Sequence, residues 1–404
     1  MHAESGKARF AGIDLLRGIA CLSVLLFHYL SRGPAGGWMQ GLDAPLLEGV
    51  ARYGYLGVHL FFIISGFVIL WSIQPEPPAR PFGASPFHGI LRTGCRLRGR
   101  GAMLHEFPTT PPEGAREALG RPGGFPVEAT PRSFIASRVA RLYPAFWVAV
   151  PLTALVVWWG QDARLAVPLS HAIGNLTMFA HWLGLKFVDD AYWSLAVELH
   201  FYIYVWLVLR FKALRWLEAL LAAWLLVSAI NWLRPMYPVE FWLNAKWAPF
   251  FAAGCVLFRV RSEGWSRSRN ALLLASWLLA VAYAWVESRR SLSATQPFNP
   301  VVVASLVTLM FAAMTAITQG WLRVPGTRWI TLAGALTYPV YLLHENIGYV
   351  LHAALRGATG NAWLALLLVV ASVLTASWCI HRGVERPLAP RLRRLVDGKS
   401  GNGM

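Results

Sequence analysis

Apolar runs long enough to cross a bilayer recur along the whole chain, and they constrain its fold more than any other feature. A membrane-spanning helix needs about 20 consecutive apolar residues. About ten runs approach that length: 12–30, 54–73, 143–159, 193–210, 214–233, 241–258, 270–287, 299–319, 330–351 and 362–381. Hydrocarbon offers the backbone no water, so each run must satisfy its own hydrogen bonds, as a helix does. The expected fold is an all-α polytopic integral membrane protein with about ten transmembrane helices. A weaker stretch, 165–185, holds His171, Asn175 and His181 and reads as an interfacial or re-entrant segment.

Composition points the same way. Of 404 residues, 56% are hydrophobic and only 14% charged, more apolar surface than a soluble domain of this size could hide. The formal net charge of +17 would suit nucleic acid, but the basic residues lie between apolar runs, where the positive-inside rule explains them. No nucleic-acid partner is expected; the bilayer is. The segment 74–142 carries ten Arg against five Glu, and the loops 210–215, 259–269 and 320–329 and the tail after Ile380 are also basic. Loops 31–53, 160–192, 234–240 and 352–361 are near neutral or slightly acidic, whereas 288–298, with Arg289 and Arg290, fits less well. Both termini are therefore expected in the cytoplasm, as in a bacterial-type inner membrane, with an uncleaved first span. Cys21, Cys95, Cys255 and Cys379 form no Cys-x-x-Cys pair, and no His-x-x-x-His pair marks a metal site.

Residues 75–131 are rich in Pro, Gly and Arg and lack periodicity, so a loosely packed cytoplasmic loop is expected. Its Arg92, Arg96, Arg98 and Arg100 could touch anionic lipid, although a solvated loop is the simpler reading. The membrane unit is expected over 1–387 with this insertion, followed by a basic cytoplasmic tail, 388–404.

Ionisable residues inside spans cost several kcal/mol and usually mark function. Arg17 and His28 lie in the first run. At about 1.5 Å per residue, His28 falls roughly 22 Å above the inner face. Glu198, in a span running inwards, falls about 9 Å below the outer face, and His344 and Glu345 about 21 Å above the inner face. These depths coincide, as they would in a buried site between helices. His59 and Lys246 share the layer but read more simply as snorkelling interfacial residues. Arg17, Arg138 and Arg141 lie near the inner face, with Asp14 one turn from Arg17. Packing alone could account for several of these: a backbone-bonded His28, an interhelical hydrogen bond from Glu198, a snorkelling Asp14–Arg17 pair.

Six motifs then occur in order. They are Ile13-Asp14-Leu15-Leu16-Arg17-Gly18 followed by His28; Gly57-Val58-His59-Leu60-Phe61-Phe62-Ile63-Ile64-Ser65-Gly66-Phe67; and Arg138-Val139-Ala140-Arg141-Leu142-Tyr143-Pro144. Trp193-Ser194-Leu195-Ala196-Val197-Glu198, Tyr338-Pro339-Val340-Tyr341-Leu342-Leu343-His344 and Val384-Glu385-Arg386-Pro387 complete the set. Together, from Ile13 to Pro387, the chain resembles the type-3 membrane acyltransferase family, whose Arg-x10-His signature Arg17 and His28 match. The loop 75–131 is longer than that family usually has.

The resemblance implies transfer of an acyl group, most often acetyl, from coenzyme A to a hydroxyl of a glycan or similar envelope or secreted acceptor. Acyl-coenzyme A is then a donor substrate, and no permanently bound cofactor is expected. Arg138 and Arg141, with Arg17 deeper, suit its phosphates because guanidinium forks match phosphate oxygens. His28 would act as general base for the acceptor hydroxyl or carry the acyl group. Glu198 would fix the His28 tautomer or bind the acceptor, and Asp14 would orient Arg17. Tyr338, Tyr341 and His344 would donate to the acceptor or the thioester oxygen. Ser65 is either a nucleophile or, with Gly66, a point of close helix contact, the latter being simpler. Trp193, Trp232, Trp242 and Trp247 read as interfacial anchors, though indoles also stack on sugars. A transporter or flippase of a lipid-linked glycan or acyl group would use the same buried charges without cleaving a thioester.

Overall fold

The computed structural model describes residues 10–73, 129–289 and 298–398. Only the last three residues of the loop expected at 75–131 are among them, so its arginines lie outside the described residues. All regular elements among the described residues are helices. Among the described residues, eight helical segments are long and apolar enough to cross a membrane by length and composition.

Helix α1 (Ala11–Phe27) continues through a π-helical turn, His28–Arg32, to Ala35. Then come α2 (Pro45–Ala51), α3 (Gly57–Ile73), α4 (Pro131–Gly160) and α5 (Leu169–Asn175), the last being the regular part of the expected interfacial stretch. Next are α6 (Trp193–Arg210), α7 (Leu217–Leu233), α8 (Tyr237–Leu243), α9 (Ala248–Glu263), α10 (Arg267–Arg289) and α11 (Pro300–Thr318). The chain closes with α12 (Arg328–Leu343), α13 (Asn346–Thr359), α14 (Ala362–Ile380), a second π turn at His381–Glu385, and α15 (Arg386–Asp397).

Local chemistry explains the starts. Thr130, Asn299, Thr327 and Asn361 each cap the helix that follows, accepting from a backbone N–H two or three residues on. Helix α4 begins at Pro131, well before its apolar run at 143, because Thr130 and Pro131 supply cap and first turn. Helix α15 begins before the boundary expected for the tail, and Arg132 Nε donates to the Val396 carbonyl (2.9 Å), tying it to the start of α4.

The interior is built on α1, α3, α9 and α12, with α1 against α12 and α3 against α9. Helix α3 is apolar on every side and buried on most, as its central place requires. Its contact with α9 is backbone to backbone. A Cβ on Gly66 would overlap the Phe251 carbonyl, and one on Gly254 that of Ile63. Gly66 therefore serves close packing. Helices α7, α10 and α14 lie outside, with most of their apolar surface exposed for lipid.

The run 330–351, expected as one span, is broken. Helix α12 stops at Leu343 and α13 resumes at Asn346. Broken backbone inside a membrane protein needs partners from its neighbours. Tyr192 donates to the Leu342 carbonyl (3.2 Å) and Tyr29 to the His344 carbonyl (2.7 Å). Asp189 accepts from the Asn346 N–H (2.9 Å), and the Asn346 side chain donates to the Val188 carbonyl (2.9 Å). The break presents His344 and Glu345 to the interior, both almost fully buried.

Candidate active site

Three adjoining cavities run through the bundle. The inner one, at the end of the bundle where α1 and α15 begin, has a volume of about 500 Å³ and is lined by Arg17, Arg141, Tyr338 and Glu385 among others. A middle chamber of about 80 Å³ shares Arg17, Val68, Arg141 and Tyr338 with it and adds Arg138, Ser65 and Glu198. The outer cavity, about 830 Å³, shares Val58 and Tyr341 with the chamber and contains His28.

His28 is the first residue of the π turn in α1, a local widening of the helix that often accompanies function. Its Nδ1 lies 2.9 Å from the Val24 carbonyl. A carbonyl only accepts, so the proton sits on Nδ1 and the Nε2 lone pair is open. His344 repeats the pattern: Nδ1 is 2.9 Å from the Tyr341 carbonyl, and Nε2 faces His28 Nδ1 at 3.1 Å. Glu345 Oε2 is 3.5 Å from His28 Nε2. Arg32 holds the other Glu345 oxygen at 3.3 Å and Asp190 at 2.9 Å.

Of the two roles expected for Glu198, fixing the His28 tautomer or binding the acceptor, the first falls to the Val24 carbonyl. Depth places a residue along the membrane normal but not around its helix. Glu198 points into the middle chamber, accepting from Ser65 (2.8 Å) and Tyr202 (2.6 Å). There it faces Arg17, Arg138 and Arg141, three cations to one carboxylate. Arg138 lies over the Phe134 and Tyr202 rings, 5.7 and 5.8 Å away, so packing sets its direction. Asp14 is 3.5 Å from Arg17 and leans into the space left by Gly334. Ser65 stands one residue from the close contact at Gly66 and donates to Glu198.

Tyr338 and Tyr341 stand at the two necks of the passage, but both hydroxyls donate to backbone carbonyls. Tyr338 bonds Leu142 (3.0 Å). Tyr341 bonds Ala191 (3.0 Å) and lies 2.6 Å from Ser194 Oγ. In the sequence, depth placed Glu345 in the layer of the buried site but gave it no role, and nothing marked Arg32. Glu345 shares the His28 layer and directly follows His344, and that position was its only signal.

The outer cavity also corrects the interfacial readings. His59 is buried at 3% exposure, its ring edge-on to Trp247 and Phe250 (5.3 and 4.8 Å), so it does not snorkel. Lys246 turns inward to Glu287 (2.8 Å). Trp193 and Trp247 line the cavity, whereas Trp232 and Trp242 are exposed on the outside, as anchors are. Trp38 completes one wall, stacked on Tyr349 at 5.0 Å with the Arg164 guanidinium 4.9 Å over it. Arg164 also grips Asp162 at 2.6 Å, and that bond holds the Asp162 carboxyl, in the outer loop, below its usual range.

Helices, passage and buried polar residues together define a polytopic membrane protein whose interior site opens towards both ends of the bundle. A family model described as an acyltransferase domain matches residues 10–92 and 128–382, and the chain belongs to that family, the type-3 membrane acyltransferases. It is similar to a putative membrane-bound transacylase, BcsY, of Komagataeibacter xylinus: 23% identical over 390 residues, covering 90% of this chain and 80% of that protein. No solved structure matches.

Proposed function

We propose that the protein transfers an acyl group, acetyl first among candidates, from coenzyme A on the cytoplasmic side of a bacterial-type inner membrane to a hydroxyl of a glycan or similar acceptor in the outer cavity. The observation that carries this reading is the polarity of the passage. Three arginines converge on its inner part, and a histidine with an open Nε2 stands in its outer part. Coenzyme A is anionic, and Arg17, Arg138 and Arg141 suit its phosphates. The thin pantetheine arm would reach through the middle chamber. At about 80 Å³ that chamber must widen to admit it.

His28 Nε2 then takes the proton from the acceptor hydroxyl as its oxygen attacks the thioester carbonyl. The C–S bond breaks, the electron pair leaves on sulfur, and the proton passes from the imidazolium to the thiolate. Glu345, 3.5 Å from Nε2, stabilises the transient imidazolium, and the Val24 carbonyl keeps Nδ1 protonated throughout. His344 donates from Nδ1 to the Tyr341 carbonyl, which directs its Nε2 lone pair at the His28 N–H. Glu198 serves the arginine chamber, and Asp14 orients Arg17.

The test compares envelope glycans and secreted small molecules by mass spectrometry. The strains are a deletion carrying wild type, His28→Ala or empty vector, with membrane protein levels matched. An acyl ester found with wild type alone supports the reading. An ester that persists with His28→Ala makes the histidine structural. Glycan export that changes while no ester does would favour a transporter.

A further inference from the structure

We propose that the outer cavity selects an uncharged sugar, and that the Lys246–Glu287 pair and Trp247 are its specificity-determining residues. The proposal rests on the acyl-transfer reading and goes beyond it to the acceptor's chemistry.

Lys246 and Trp247 sit on the turn between α8 and α9, which is built to hold one shape. Asn244 adopts a left-handed conformation (φ 48°), and its side chain donates to the Val197 carbonyl (2.9 Å). Ser228 donates to the Ala245 carbonyl (2.7 Å) and Trp224 to the Leu243 carbonyl (2.7 Å). Three bonds to two helices, α6 and α7, thus fasten the turn and aim its next two side chains into the cavity. Lys246 Nζ meets Glu287, from the far end of α10, at 2.8 Å. Both side chains keep about a fifth of their surface open, at 23% and 22%, and both line the cavity with His28. A snorkelling lysine would reach for water instead of a carboxylate on another helix.

The remaining chemistry favours a neutral polyol. Trp193 and Trp247 pack against each other, centroids 5.3 Å apart and 33° from parallel, and the indole surface they leave on the cavity wall suits the apolar side of a pyranose. Lys246 also lies 4.6 Å over the Trp247 ring, which fixes ammonium and indole as one unit. The cations here are engaged: Arg32 by Glu345 and Asp190, Lys246 by Glu287, while Arg52 lies 4.8 Å over the Phe298 ring. An anionic sugar would have to compete with these carboxylates. Neighbouring hydroxyls of a neutral sugar can instead accept from Lys246 and donate to Glu287, leaving the pair intact.

The test uses the full-length protein in nanodiscs with acetyl-coenzyme A. Cellotriose, maltotriose and triacetylchitotriose are the neutral probes, and trigalacturonate is the anionic one. Released thiol and sugar ester are both measured. We expect at least one neutral probe to be esterified with kcat/KM at least tenfold above trigalacturonate. Glu287→Gln, Lys246→Met and Trp247→Ala should each raise the acceptor KM at least tenfold more than the donor KM. A merely structural tie would instead lower stability and shift both alike, and Glu287→Gln, nearly isosteric, keeps the test open if the other two fail to fold. Preference for trigalacturonate overturns the proposal. So does thiol release with no neutral probe esterified, or an acceptor KM that Glu287→Gln leaves unmoved. No thiol release by wild type with any probe refutes the underlying acyl-transfer reading instead, and the proposal with it.

Discussion

Glu345→Gln isolates the electrostatic part of the mechanism. The substitution keeps shape and removes one charge from a residue only 2% exposed. When His28 Nε2 takes the acceptor proton, the carboxylate oxygen 3.5 Å away opposes a full positive charge. At an effective dielectric near 20 that attraction is about 5 kcal/mol. Arg32, 3.3 Å from the other oxygen, cancels part of it. We expect a net loss of about 2–3 kcal/mol, roughly 30- to 160-fold in rate. The assay is thiol release from saturating acetyl-coenzyme A by purified wild type, Glu345→Gln, His28→Ala and the double variant. His28→Ala alone should cost about 10²–10⁴-fold, the usual range for a general base. The double variant should then be no slower than His28→Ala, because a stabiliser has nothing to act on once the imidazole is gone. A full additional loss in the His28→Ala background would show that Glu345 supports folding or binding, and the reasoning would fail.

Arg141→Gln should raise the donor KM about tenfold or more with a smaller effect on kcat, since charge-assisted phosphate bonds contribute about 1.5–3 kcal/mol each; steady-state kinetics at saturating acceptor checks this. Val68→Trp places an indole where the inner cavity meets the chamber, and should abolish transfer while the protein still binds 3′,5′-ADP by isothermal calorimetry. Asp189→Ala strips partners from the Ala191 and Asn346 N–H groups and should cost about 2–5 kcal/mol, read as a lowered thermal unfolding midpoint. Gly254→Leu drives a side chain into the Ile63 carbonyl and should abolish membrane accumulation of folded protein, seen by fluorescence-detected size exclusion.

The helices were legible in the sequence because hydrocarbon leaves the backbone no alternative. Arg17 and His28 were legible because ionisable groups stand out against an apolar run. The partner of His28 was not. Depth at 1.5 Å per residue ranked Glu198 and Glu345 together, and it assumed an unbroken helix over 330–351. The break that turns Glu345 towards His28 is made by Asp189, Tyr29 and Tyr192, from segments remote in sequence. Lys246 and Trp247 had the composition of membrane anchors. The turn faces inward because Asn244 is left-handed and bonds Val197 while Ser228 and Trp224 hold its carbonyls, and an Asn two residues before a lysine carries no such signal alone. Ser65 and Gly66 separate for a similar reason. Helix contact claims the glycine, and the chamber takes the serine.

The most direct test of the account is sidedness in sealed proteoliposomes. Protein is reconstituted in one orientation, and acetyl-coenzyme A labelled in the acetyl group is supplied only at the arginine end. The acceptor glycan identified by mass spectrometry is supplied only at the His28 end. The account predicts labelled ester on the glycan at the His28 end with wild type, and none with His28→Ala or Val68→Trp. Ester formed only when donor and acceptor share one side would contradict a transfer that runs through the passage.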